Sequence, residues 1–165
     1  MKAALLAVAF LLLLPAAAPA RTLDLPTLFE DVLPQVKEQT DVPVLLPQRY
    51  RSDSARNVPS GVGNADGYSL GIAAARNCGG ATACFVADFS AQRGEDPHYT
   101  RKVRLTGGRK GYFKPLTCGA SCSPPVIEWV EDDVLYWIQA HAGTKRQEKK
   151  RLRQMANSAI RRGAR

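Results

Sequence analysis

Two histidines, His98 and His141, are the side chains here that titrate nearest neutrality without help. They are the first places to look for a general base. Nucleophilic catalysis needs such a base within hydrogen-bond reach of a serine or cysteine, yet no G-x-S-x-G elbow or comparable motif accompanies either one. His98 falls in a polar stretch between two strand-like segments, and His141 falls just before the terminal helix. Both read as loop histidines. No H-x-H or H-E-x-x-H occurs, so no metal-ligand set and no cofactor is expected. Glu128, Glu131, Asp132 and Asp133 offer carboxylates for an acid–base pair. The strand pattern turns the two glutamates outward, and the two aspartates suit a turn. Gly107-Gly108-Arg109-Lys110-Gly111 has amides and cations for an anion cradle, but it joins two predicted strands and lacks the spacing of either nucleotide loop. A hairpin turn is its plainer reading. No catalytic residue is assigned.

The cysteines carry a firmer signal. Cys78, Cys84, Cys118 and Cys122 form an even set, which in an exported chain reads first as two disulfides with three possible pairings. Each near pair brackets a short loop between strand-like segments, so Cys78–Cys84 with Cys118–Cys122 is the preferred pairing. A four-thiolate zinc site is the sharper alternative, but five and three intervening residues do not match the usual C-x-x-C pairs. Export itself is read from the first twenty residues. Lys2 gives a positive start, Ala3 to Leu14 is an apolar run of twelve residues, Pro15 ends it, and Ala18-Pro19-Ala20 offers a cleavage site. Twelve residues fall short of the roughly 20 that span a bilayer. The sequence therefore predicts a signal peptide over 1–20 and one domain over 21–165. That domain should be soluble, periplasmic or extracellular, with no transmembrane segment.

The formal charge is +8, and removal of Lys2 leaves +7. Residues 21–143 hold 13 basic and 14 acidic side chains, whereas 144–165 hold nine basic and one acidic. The excess belongs to the last segment. There Leu152, Met155, Ala156, Ala159 and Ile160 recur at helical spacing, so a basic amphipathic helix capped by Gly143 or Thr144 is expected. Its cations attract polyanions or an anionic surface, and Lys145, Arg146, Lys149, Lys150, Arg153, Arg161 and Arg162 are the candidate contacts. A solvated basic face is the plainer reading. The partner expected is an anionic envelope polymer, lipid headgroups or an acidic protein. Nucleic acid is not expected outside the cytoplasm. The alternative function is a small secreted hydrolase using His98 or His141.

The elements that must position these groups follow from periodicity. Leu25, Leu28, Phe29, Val32 and Val36 predict a helix over 25–39, kinked at Pro34. Val42 to Leu46 reads as an edge strand, since Pro43 cannot donate to a ladder, and 48–66 reads as a long mobile loop. Strands are predicted over Tyr68–Ala74, Phe85–Phe89, Arg101–Leu105, Gly111–Leu116, Val126–Glu131 and Val134–Ala140, each ending in a turn signal. The expected fold is α+β: an antiparallel meander of about five to six strands, with an N-terminal helix and the basic C-terminal helix packed on it.

Val126-Ile127-Glu128-Trp129, Asp132-Asp133, Val134-Leu135-Tyr136-Trp137-Ile138 and the helix ending in Ala156-Asn157-Ser158 resemble a known closing motif. It is the strand–turn–strand–helix of uncharacterised bacterial envelope domains, some attached to anti-sigma or sporulation proteins. The shared pattern is I-x-W, an acidic or glycine turn, Y-x-I, then A-x-S, over about residues 126–160. The resemblance implies an envelope location and this topology; it implies no chemistry. In physical terms Trp129 and Tyr136 can face each other across the hairpin, and Ala156 and Ala159 allow close approach of helix to sheet.

Overall fold

The protein is described by a computed structural model over residues 20–78 and 81–165; the expected signal segment lies outside the described residues except for Ala20. In chain order the elements are β1 (Arg21–Asp24), α1 (Leu25–Leu28), α2 (Leu33–Gln39), β2 (Arg49–Ser52), β3 (Val58–Asn64), β4 (Gly67–Ala73), β5 (Phe85–Arg93), β6 (Lys102–Arg104), β7 (Lys110–Lys114), β8 (Thr117–Cys118), β9 (Cys122–Ser123), β10 (Val126–Glu131), β11 (Val134–Ala140) and α3 (Glu148–Arg162). The class is α+β.

The tightest local instruction is the β10–β11 turn. Asp132 and Asp133 both adopt positive φ, 51° and 63°, the backbone that a two-residue hairpin of matching twist requires and that aspartate tolerates. This turn sets the register that pairs Trp129 with Tyr136. Their rings stack 5.5 Å apart at 15°, as the sequence pattern anticipates.

The main sheet is antiparallel and seven-stranded, in the order β3-β4-β5-β11-β10-β7-β6. A single meander of five to six strands is therefore not what forms. Two meanders, β3-β4-β5 and β6-β7-β10-β11, join where β5 pairs with β11. That long-range pairing is invisible to local turn signals. Two further ribbons, β1–β2 and β8–β9, stand outside this sheet.

Four local expectations are corrected. Residues 25–39 split into α1 and α2, because Pro34 occupies the first turn of α2, where a missing N–H is harmless. Val42–Leu46 forms no strand and makes one isolated bridge, Leu45 to Ala164. Its strand-like apolarity serves the core instead, with Val42, Val44, Leu45 and Leu46 all buried. Within 48–66, where a mobile loop is expected, β2 and β3 form. The glycines that suggest a loop permit close packing there: a Cβ on Gly61 would meet Val32, Val36 and Leu70 at 2.5–2.9 Å. Helix α3 starts later than predicted, at Glu148, and Thr144 contributes its carbonyl to the preceding turn.

All three helices lie on one sheet face. Leu70, Phe89, Ile138, Trp129, Ile127 and Phe113 line that face, and α3 buries Leu152, Met155, Ala156 and Ala159 on it. The segment 42–46 is fastened there too. The Tyr68 hydroxyl accepts from Leu45 N at 2.9 Å and donates to Leu45 O at 3.1 Å, and the Tyr136 hydroxyl donates to Pro43 O. The opposite face carries Ser69, Asp88, Ser90, Trp137, Glu128 and Tyr112, and no α-helix among the described residues covers it. No helix among the described residues is long and apolar enough to cross a membrane.

Candidate functional site

Strand β2 alternates buried and exposed side chains: Tyr50 and Ser52 point inward, Arg49 and Arg51 outward. Tyr50 fixes the strand. Its hydroxyl reaches the carbonyls of Val86, at 3.1 Å, and His141, at 3.0 Å, tying β2 to β5 and to the segment leading into α3. Burial, reinforced by the nearby Asp53 charge, pushes this phenol well above its ordinary range, so it stays a neutral donor. Two more bonds draw α3 alongside. Ser158 Oγ accepts from Gln48 N at 3.1 Å, and the Arg165 guanidinium donates to the Gln48 side chain at 3.1 Å.

These ties leave a groove of about 620 Å³ between β2 and α3. Arg49 and Arg51 line it from the strand, Arg151 and Arg162 from the helix, with His141, Gln154 and Ser158 between them. A second cavity of about 560 Å³ shares Tyr50, Arg51, His141 and Arg151, so the two adjoin. Among the described residues, none of the four arginines lies within 4.0 Å of a carboxylate; the ion pairs present involve Arg93, Arg109 and His98. Guanidinium groups gathered on one concave surface are the chemistry by which phosphate, sulfate or carboxylate groups are held in general.

Of the helix cations singled out from sequence, only Arg162 reaches this groove. Lys145, Arg146, Lys149, Lys150, Arg153 and Arg161 are exposed and lie outside its lining. Arg49, Arg51 and Arg151 line the groove and are not among those cations. The alternation Arg49-Tyr50-Arg51 is the sequence signal for the strand pair, and its polar, turn-rich surroundings in 48–66 resemble a loop.

The other candidates resolve individually. His141 is exposed in the groove with its ring 6.0 Å from the Phe85 ring, and no serine or carboxylate oxygen among the described residues lies within hydrogen-bond distance of it. In the adjoining cavity the Ser54 hydroxyl donates to Arg56 O, and the Ser52 hydroxyl is bonded to the Asn57 side chain. His98 is largely exposed, but its Nδ1 lies 3.3 Å from Glu128 Oε2. Glu128 points away from the helix-covered core, as expected of an outward residue, yet it is only 1% exposed. The Glu95–Thr100 loop lies over it, and Tyr99 N donates to Oε1 at 2.7 Å. Glu131 pairs with Arg109, which takes that cation out of any anion cradle at Gly107-Gly108. Those glycines have φ of 66° and 75°, the backbone of a turn.

Both disulfides follow the preferred pairing. Cys78–Cys84 and Cys118–Cys122 are bonded, with Cα separations of 5.8 and 4.0 Å. Thus the sulfurs staple two loops and leave no thiolate to hold zinc. Asn157 and Ser158 of the A-x-S motif both bond backbone: Asn157 Oδ1 accepts from Thr106 N at 2.8 Å, and Ser158 holds Gln48. Compared with protein-family models, curated proteins and solved structures, the chain matches none.

Proposed function

We propose that this protein is an exported, non-enzymatic binding module for an anionic partner, which it grips in the arginine-lined groove between β2 and α3. The observation that carries the reading is the convergence of Arg49, Arg51, Arg151 and Arg162, from two separate elements, on one cavity whose described lining holds no carboxylate. A solubilising charge has no need of concavity. A binding charge does, because low-dielectric walls focus the field and a planar guanidinium forks onto two oxygens at once. The signal-like first twenty residues and the two disulfides support export, and the partners available there are phosphate-bearing envelope polymers, lipid headgroups and acidic proteins.

The test compares two charge-matched variants on vesicles of phosphatidylglycerol and phosphatidylcholine. Arg49, Arg51, Arg151 and Arg162 become glutamine in one; Lys145, Lys149, Lys150 and Arg153 become glutamine in the other. Wild type should bind the anionic vesicles and lose affinity steeply as salt rises. The groove variant should lose at least tenfold more affinity than the helix-face variant. Equal losses would leave only diffuse charge, and salt-independent binding would remove the idea altogether.

A further inference from the structure

The sheet face turned away from the helices holds a separate cavity of about 470 Å³, with Cys78, Ala81, Thr82 and Cys84 on one side and Ser121, Cys122, Ser123 and Pro124 on the other. Its floor is set by register. Gly71 and Asp88 are cross-strand partners on β4 and β5, and Gln139 is the partner of Asp88 on β11. Gly71 leaves the space beside the carboxylate open; a Cβ there would meet only Ser60 Oγ, at 3.2 Å. Ala73, Phe85 and Pro124 give the walls an apolar character. The volume suits a small molecule.

Asp88 is the one acidic side chain among the described residues of the lining. Ser69 Oγ donates to one carboxylate oxygen at 2.7 Å and Ser90 Oγ to the other at 2.6 Å. No cationic nitrogen among the described residues lies within 4.0 Å of it. The Lys114 ammonium donates to Ser123 Oγ at 2.8 Å and sits over the Tyr99 ring, and Lys114 is not among the lining residues. Burial raises the Asp88 carboxyl above its ordinary value despite the two hydroxyls and the Trp137 indole, as expected of a carboxylate short of counter-charge. An arriving cation would find oriented oxygens in a poorly solvated setting, where its attraction is worth more than in water.

We propose that this cavity binds a small organic ammonium ligand, with the ammonium on Asp88 and an apolar body against Phe85 and Pro124. The site shares no lining residue with the arginine groove and takes the opposite charge; Phe85 also borders the cavity that adjoins that groove.

The purified, disulfide-intact protein is titrated calorimetrically at pH 7 with 4-phenylbutylamine and with its neutral isostere 4-phenylbutan-1-ol. The amine should bind at least tenfold more tightly than the alcohol. Asp88→Asn should bring the amine down to the level of the alcohol, and Gly71→Leu, which fills the cavity, should abolish both. Circular dichroism and the thermal midpoint establish that each variant is folded. The amine-to-alcohol comparison on the unaltered protein stands without any variant. Equal affinity for the two ligands, amine binding that survives Asp88→Asn, or no amine binding at millimolar concentration would each overturn the proposal.

Discussion

Replacing Glu128 tests whether a buried carboxylate holds down the loop that crosses the open sheet face. Glu128 sits on β10 between its register neighbours Tyr112 and Trp137. It is 1% exposed, and its two oxygens meet Tyr99 N at 2.7 Å and His98 Nδ1 at 3.3 Å. A hydrogen bond to a charged acceptor contributes about 1.5–3 kcal/mol, and an orphaned buried donor costs about 1–3 kcal/mol. Glu128→Gln keeps a carbonyl for Tyr99 N and loses only the charge, a loss of about 1 kcal/mol. Glu128→Ala removes the acceptor as well, for about 2–3 kcal/mol. At 1.36 kcal/mol per decade, these become about fivefold and about thirtyfold or more in the opening equilibrium of the loop. Amide hydrogen exchange at Tyr99, followed by NMR, reads that equilibrium directly. Protection at Tyr99 should fall in the order wild type, Gln, Ala, while amides of the central strand β11 fall by no more than the global stability change. Unchanged Tyr99 exchange in the alanine variant would refute the latch. Equal damage from glutamine and alanine would refute the claim that the acceptor atom matters more than the charge.

Two further outcomes follow from the same reasoning. Ser158→Ala strips Gln48 N of its acceptor, which should cost about 1–2 kcal/mol; for a domain of this size that lowers the thermal midpoint by about 2–8 °C, and no shift would mean the helix–strand tie is idle. The Asp88 carboxyl is raised in the folded protein, chiefly by burial, so the native state holds that proton more tightly than the unfolded chain. Its contribution to stability is therefore lost as pH rises from the ordinary value of 3.8 through the raised folded value, and it is constant above. Urea denaturation across that window should show wild type losing stability relative to Asp88→Asn as pH increases, and a pH-independent difference would show that the carboxyl is not perturbed.

What could be read from the sequence was local, and what could not be read was long-range. The Asp132-Asp133 hairpin, the Trp129–Tyr136 pair, the apolar stripe of α3 and both disulfides depend on residues within a few positions of each other. Spacing alone carries such information. The β5–β11 junction does not. Its partners are some fifty residues apart, and many registers of alternating strands would have looked equally good. Residues 48–66 misled for a different reason. Arg49, Arg51, Gly61 and Gly63 look like loop chemistry, but the glycines are there because α2 presses on β3, and a Cβ at Gly63 would come within 2.9 Å of Val36 O. Close approach and flexibility call for the same residue, and only the fold distinguishes them.

The same limit explains why the charge excess is legible in the sequence and the lining of the proposed groove is not. Nine cations in the last 22 positions announce an excess, but a helix shows each neighbour only one stripe. Burial of Leu152, Met155, Ala156 and Ala159 fixes the rotation of α3 on the sheet. That rotation presents Arg151, Gln154, Met155, Ser158 and Arg162, at i, i+3, i+4, i+7 and i+11, to the flank where β2 runs. Lys149, Lys150, Arg153 and Arg161 turn elsewhere by the same geometry. The stripe that packs the helix thus also selects which charges face the groove. Strand β2 completes it from a part of the chain with no charge excess at all, because alternation about the buried Tyr50 places Arg49 and Arg51 on one side. Binding strength should accordingly depend on these four positions and only weakly on the total charge of the helix, which is the difference that the charge-matched variants are built to measure.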